Sequence, residues 1–183
     1  MKQPLWAPWR MEYVGTADES DGCFLCGALM AADEEGLVVY RGRTAFVLLN
    51  RFPYASGHLL VAPHRHVAEF GDLADEEALE MHRLAGSGIA ALAEIYASQG
   101  YNVGWNLGRI AGAGLLDHVH LHVVPRWAGD TNFMPVLADV KVLPEHLAES
   151  RRRLAASWGK QPVSPMNPLP TSVARFPRVA SPG

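Results

Sequence analysis

Apolar positions along this chain follow two spacings, and each predicts a different element. Leu37 to Tyr40 and Ala45 to Leu49 are short Val- and Leu-rich runs parted by the polar Arg41-Gly42-Arg43-Thr44, which predicts a β-hairpin. Arg51 to Gly57 carries Pro and Gly and reads as a loop. His58 to Ala62 reads as a third strand stopped by Pro63, and Tyr101 to Leu107 as a fourth. Between them, Met81, Leu84, Ala85, Ile89, Leu92 and Tyr96 recur at helical spacing. They predict a helix from Asp75 to Ser98, capped by Asp75, favoured at its start by Glu76 and Glu77 and followed by Gly100. Gly108 to Gly114 is a glycine-rich loop, Leu116 to Val124 a fifth strand ended by Pro125, and Pro144 to Trp158 a second, shorter helix. Mostly antiparallel strands with one long helix predict an α+β domain. There is no internal repeat. The expected organisation is an irregular N-terminal arm over 1–22 containing Trp6-Ala7-Pro8-Trp9-Arg10, a domain over 23–159, and a Pro-, Ser- and Arg-rich disordered tail over 160–183.

Composition narrows this picture. The 183 residues are enough for one domain with a real core, and 49 % hydrophobic with 19 % charged residues suits a soluble globular protein. A formal net charge of −3 argues against a broad cationic surface for nucleic acid. No apolar run reaches the ~18 residues of a membrane span, and the N-terminus lacks the apolar stretch of a signal peptide, so a cytoplasmic protein is expected. Cys23 and Cys26 form a C-x-x-C pair, which in a reducing compartment suggests a metal or redox pair. A closed zinc site would need two more ligands, and Pro63-His64-Arg65-His66 and His118 offer imidazoles. A redox pair or two buried thiols are the other readings, the redox one weakened by the missing thioredoxin-like pattern.

The chemistry concentrates in the fifth strand. Alternation places His118, His120 and His122 on one face, and Asp117, Val119, Leu121 and Val123 on the other, where three of four are apolar. A half-exposed strand that happens to carry histidines is the bland alternative. A three-histidine metal site is the second. It fits poorly, because strand positions i and i+4 lie ~13 Å apart while zinc–nitrogen bonds are ~2 Å. A neutral histidine is a nucleophile, an acid or base, and a phosphate carrier, so a central His could attack phosphorus while its neighbours orient it. Such a nucleophile is expected to lose activity as it protonates below about pH 6.5 unless its pKa is shifted. The amides of Gly108-Arg109-Ile110-Ala111-Gly112-Ala113-Gly114 could hold the phosphate oxygens.

His118-Val119-His120-Leu121-His122-Val123-Val124 resembles the His-φ-His-φ-His-φ-φ motif of the histidine triad family, and Asn50 to Pro63 is similar to its upstream segment. The resemblance implies an α+β fold with a five-stranded antiparallel sheet and one long helix, pairing into a ten-stranded sheet in a homodimer. It implies nucleotidyl transfer through a covalent intermediate on His120, with His122 contacting the reacting phosphate. Asn50 falls at the family's ribose- or base-side asparagine, and Asn106 at a phosphate-side asparagine found in part of the family. Gly112 and Gly114 of the loop complete the expected substrate set. Gly114 occupies the place where many members carry a Gln that touches the leaving group. Zinc-bearing members use C-x-x-C, a downstream His and the first His of the motif, which implies a structural zinc on Cys23, Cys26, His66 and His118, with His64 competing for the third place.

Leu5 to Met11 and Pro125-Arg126-Trp127 resemble members related to diadenosine tetraphosphate phosphorylases, with a dinucleoside polyphosphate as substrate and inorganic phosphate as acceptor. Water as acceptor would instead make the protein a dinucleoside polyphosphate or nucleoside phosphoramidate hydrolase. A nucleotide-binding sensor is the non-enzymatic alternative. Among the other candidates, His58 has a supporting or a purely structural role, and His82 and His146 belong to the surface. Arg126 would serve a phosphate or a structural ion pair. Trp6, Trp9 and Trp105 would stack on a base or pack, packing being the expected role.

Overall fold

The computed structural model describes residues 22–130 and 145–159. Nearly all of the expected N-terminal arm, with Trp6 and Trp9, lies outside these residues, as do the tail 160–183 and Pro144. Five strands form one antiparallel sheet in the order β1-β2-β3-β5-β4. They are β1 (Val38–Arg41), β2 (Ala45–Leu49), β3 (Leu59–Pro63), β4 (Gly100–Trp105) and β5 (Leu121–Arg126). Among the described residues, three α-helices accompany them: α1 (Phe24–Met30), α2 (Asp75–Tyr96) and α3 (Leu147–Ser157). Among the described residues, no helix is long and apolar enough to cross a membrane.

Every residue of β2 and β3 is buried, because both faces of the sheet are covered. Val47, Leu49, Leu59, Val61, Leu121 and Val123 pack with Met81, Leu84 and Leu92 of α2. Phe46, Leu48, Leu60 and Ala62 face the other way and pack with Leu25 and Ala28 of α1. Helix α1 was not expected from the sequence, since seven residues give too little periodicity to read. Its two buried side chains contribute about 2–4 kcal/mol, too little for an isolated helix of this length. Local groups hold its ends: the Cys23 sulfur accepts from the Cys26 N–H at 3.5 Å, and the Arg41 guanidinium donates to the carbonyls of Leu29 and Ala31 at 2.6 and 3.1 Å.

Several boundaries differ from expectation: β3 includes Pro63, paired with Ala45, instead of stopping at it, β4 ends at Trp105 rather than Leu107, α2 ends at Tyr96 rather than Ser98, and α3 begins at Leu147. Helix α2 is capped at Ala74 rather than at Asp75, and the Glu77 carboxylate accepts the Ala74 N–H at 2.9 Å. Pro125 continues β5 instead of ending it. The β3 pairing stops where Leu59 faces Val123, so Pro125 has a neighbour only in β4, opposite Tyr101, and its missing N–H is tolerated. The fifth strand begins at Leu121 rather than Leu116, so His118 and His120 precede the ladder. There the Val119 N–H donates to the Val67 carbonyl at 2.7 Å, a partner outside the sheet.

Candidate active site

His122 lies within β5, between β3 and β4, and His118 and His120 lead into that strand. Leu121 turns into the α2-side core, while His122 pairs with Leu60, a residue of the α1-side cluster. The expected alternation holds for Leu121 and His122, but Asp117, expected on the opposite face, reaches His66 beside His118; the three imidazoles are buried, at 0 %, 8 % and 9 % for His118, His120 and His122, against the half-exposed alternative.

His118 meets sulfur. Its Nδ1 lies 3.2 Å from Cys23 Sγ and 3.5 Å from Cys26 Sγ, and His66 Nδ1 lies 3.3 Å from Cys26 Sγ. The four ligand atoms of Cys23, Cys26, His66 and His118 all fall within 4.8 Å of one another. A tetrahedral zinc with its usual bond lengths places sulfur and nitrogen about 3.6 Å apart, so this donor set fits the ion. The second nitrogen of each imidazole supports the fit. His118 Nε2–H donates to the Pro63 carbonyl at 3.0 Å, which leaves Nδ1 with its lone pair toward the thiols. His66 Nε2 faces the Asp117 carboxylate at 3.5 Å, a partner the sequence did not single out. Burial pushes the Cys23 thiol up to about 11, with Cys26 beside it, a strain that a cation would relieve. His64 is not in the cluster. Its ring lies beside Phe46 at 5.8 Å, and its Nε2 is buried without a hydrogen-bond partner.

His120 meets its own backbone. Its Nδ1–H donates to the His118 carbonyl at 2.9 Å, so Nε2 carries the lone pair. Burial pushes the His120 pKa below the ordinary histidine value, outweighing the carbonyl, and keeps the ring neutral. The edge of Phe24 on α1 faces it at 6.4 Å between ring centres, a neighbour that became visible only when α1 placed it there. His122 lies 5.0 Å from His120, ring to ring, with its Nδ1 3.0 Å from His58 Nε2 and its Nε2 3.3 Å from the Asn106 amide nitrogen. Tyr54 stacks on His122 at 6.0 Å and 15°.

The remaining expected residues divide. Asn50 lies beside this group: its amide oxygen accepts the Phe52 N–H at 2.9 Å and its nitrogen faces His58 Nδ1 at 3.3 Å. The Gly112 N–H is used inside its own loop, donating to Arg109 at 2.9 Å, and Gly112 adopts the left-handed conformation with φ of 87°. Gly114 lies in the segment leading to His118. Arg126 is paired with the Asp130 carboxylate and with Asn102, the ion pair that was one of its two expected roles. His82 and His146 are exposed, as expected. Trp105 packs against the α2-side core.

The pattern of the HIT domain matches residues 32–129 of this chain, more than half of it. This chain belongs to the HIT family. A HIT-family relative, the AP-4-A phosphorylase of Mycobacterium tuberculosis, is 41 % identical over 168 residues, covering 87 % of this chain and 86 % of that one. Two solved structures share the HIT fold. One is a histidine triad nucleotide-binding protein from Sulfolobus tokodaii, with a TM-score of 0.59, 22 % identity and coverage of 74 % of this chain and 91 % of that one. The other is a Zn-bound histidine triad family protein from Mycobacterium smegmatis, with a TM-score of 0.54, 23 % identity and coverage of 81 % and 94 %.

Proposed function

We propose that this protein cleaves dinucleoside polyphosphates by nucleotidyl transfer through His120, with inorganic phosphate as the acceptor: the reaction of a diadenosine tetraphosphate phosphorylase. The hydrogen bond from His120 Nδ1 to the His118 carbonyl carries the reading, because it turns an unprotonated Nε2 away from the backbone in a neutral, buried ring. Membership of the HIT family and the likeness to the M. tuberculosis enzyme over most of both chains support the substrate. In this scheme Nε2 attacks the α-phosphorus of diadenosine tetraphosphate. An N–P bond forms as the P–O bond to the departing ATP breaks. An oxygen of inorganic phosphate then attacks the adenylyl-histidine, the N–P bond breaks, and ADP leaves. His122 and Asn106 serve the phosphate oxygens between these steps, with Gly114 at the leaving-group side and Asn50 at the nucleoside side. The Gly112 amide is not assigned to substrate, since the loop uses it.

A structural zinc on Cys23, Cys26, His66 and His118 belongs to the same reading. When bound it would neutralise the two thiolates and cross-link the first helix to the histidine segment, and four protein ligands leave it no open position for chemistry. We further infer a homodimer whose sheet continues across two subunits into ten strands. This is supported by β4 lying at the edge of the sheet with Val103 exposed.

Product analysis tests the reaction. With phosphate, diadenosine tetraphosphate should give ADP and ATP, and denatured enzyme should carry an acid-labile adenylyl group. AMP in place of ADP would make water the acceptor. No adenylyl group and no turnover, with or without phosphate, would reduce the protein to a nucleotide-binding module. Elemental analysis finding no zinc in unchelated protein would remove the metal, and a monomeric mass by light scattering would remove the dimer.

A further inference from the structure

We propose that His58 is a positioning residue that fixes the tautomer of His122 and, through it, the orientation of the Asn106 amide. One backbone amide sets the direction of the whole chain of hydrogen bonds. His58 is completely buried, and its Nδ1 receives the Tyr54 main-chain N–H at 3.0 Å. The Asn50 amide nitrogen approaches the same atom at 3.3 Å, and it cannot exchange places with its oxygen, which already accepts the Phe52 N–H. A backbone N–H only donates, so His58 Nδ1 is an acceptor with no proton of its own. That excludes an imidazolium at His58, and the single proton of the neutral ring sits on Nε2.

The direction then propagates. His58 Nε2 lies 3.0 Å from His122 Nδ1, so His58 donates and His122 accepts, and the proton of His122 sits on Nε2. That atom lies 3.3 Å from the end of the Asn106 amide. Two donors cannot face each other, so this contact closes as a hydrogen bond with the Asn106 oxygen toward His122 and its NH2 group on the far side. The reverse direction would leave His58 without a proton on either nitrogen. Local geometry maintains the starting point. The Asn50 N–H donates to the His58 carbonyl at 2.9 Å, the His58 N–H donates to Ala55 at 3.1 Å, and Leu60 pairs with His122 across the sheet. Gly57 turns the loop with φ of +79°, where a Cβ would come within 2.7 Å of Leu92.

The consequence rests on the reading of His120 as nucleophile. Beside it stands the NH2 of Asn106, a donor whose orientation the His122 Nε2–H fixes, suited to phosphate oxygens that only accept. Asn50 thereby acquires a task besides the nucleoside-side role expected from sequence, as the second donor that holds His58.

Two-bond nitrogen–proton NMR spectra of the histidine side chains in full-length, zinc-loaded protein, taken where the rings are neutral, test the proposal. Wild-type His122 should show a protonated Nε2 and a bare Nδ1. His58→Asn keeps an acceptor for the Tyr54 N–H but reaches nothing at His122, whereas His58→Gln places a donor where Nε2 was. In His58→Asn the two His122 nitrogen signals should converge, and kcat should fall about fivefold with KM within about twofold. His58→Gln should keep the signals apart, with kcat within about twofold of wild type. Equal behaviour of the two variants in both readouts overturns the proposal. So does a wild-type His122 protonated on Nδ1, a result that needs no variant to fold. If the wild type forms no adenylyl-His120, the catalytic reading fails, while the spectra still decide the tautomers.

Discussion

His118 and His122 stand four residues apart on one segment and keep different company. His118 turns Nδ1 toward two cysteine sulfurs and donates its other nitrogen to a carbonyl. His122 has another imidazole on Nδ1 and a side-chain amide at Nε2. The same residue type thus faces thiols at one end and an imidazole and an amide at the other, and nothing in the imidazole decides which. The difference lies in which segments the fold brings alongside: α1 and the turn after β3 at the first end, the Asn50–His58 loop and the end of β4 at the second. His120 sits between them and touches both, through the His118 carbonyl and the His122 ring.

This division can be broken at its centre. His120→Ala should lower turnover by about 10⁴-fold or more while thermal midpoint and zinc content stay at wild-type values. Zinc loss in that variant would show that the two ends are not separable. At the metal end, Cys23→Ser should lose zinc by elemental analysis and cost about 3–5 kcal/mol of stability in denaturant unfolding, with adenylyl-His120 still trapped under conditions where the variant stays folded. An unchanged zinc content would end the ligand assignment.

Glu80 is a smaller probe, with no contact to the three histidines of the segment among its hydrogen bonds. Its carboxylate receives the Arg43 N–H at 2.8 Å, together with the Thr44 N–H and hydroxyl, and ties α2 to the β1–β2 turn. Burial pushes its pKa up, but the hydrogen bonds from Thr44, Arg43 and Ala45 prevail and hold it below the usual carboxylate range. A lowered folded pKa means that this stabilisation is complete above the unfolded value and is lost as pH falls through the folded one. Glu80→Gln should therefore cost about 1–3 kcal/mol near neutral pH and progressively less in acid, read from denaturant unfolding at several pH values, with zinc content and turnover unchanged. The smallest effect is expected at the end of α2, where Ala97 holds the left-handed conformation at φ of 48°. Ala97→Gly should raise stability by about 0.5–1 kcal/mol and leave both ends of the histidine segment as they were, a result that unfolding midpoints and product analysis would check together.

Much of this arrangement was legible without a structure. The hairpin, the third strand and the long helix follow from runs of Val and Leu, from turn residues and from a stripe at helical spacing, because such local patterns reflect which faces can be removed from water. Alternation likewise gave the common face of His118, His120 and His122. The motif, through its resemblance to a known family, suggested the covalent chemistry, and C-x-x-C the zinc. Helix α1 escaped because seven residues make fewer than two turns, too few for a stripe to repeat, and Phe24 and Tyr54 escaped because nothing local distinguishes an aromatic beside a histidine from one in a core. The start of the fifth strand was misplaced because β3 pairs no further than Val61 opposite Leu121, a property of the partner strand and not of the segment itself.

By itself, then, the sequence determined the five strands and two of the described helices, the face that His122 shares, and the inventory of nitrogen and sulfur donors. Only the tertiary structure decided His66 over His64 beside the cysteines, the pairing of Arg126 with Asp130, and the direction of the proton along His58 and His122. Asp130 lies only four residues from Arg126 and is brought back to it by the turn after β5, but for the histidines the physical reason is a common one. A side chain's role is set by atoms within about 3 Å of it, and across a sheet those atoms come from residues far away in the chain, whose identity no local period records.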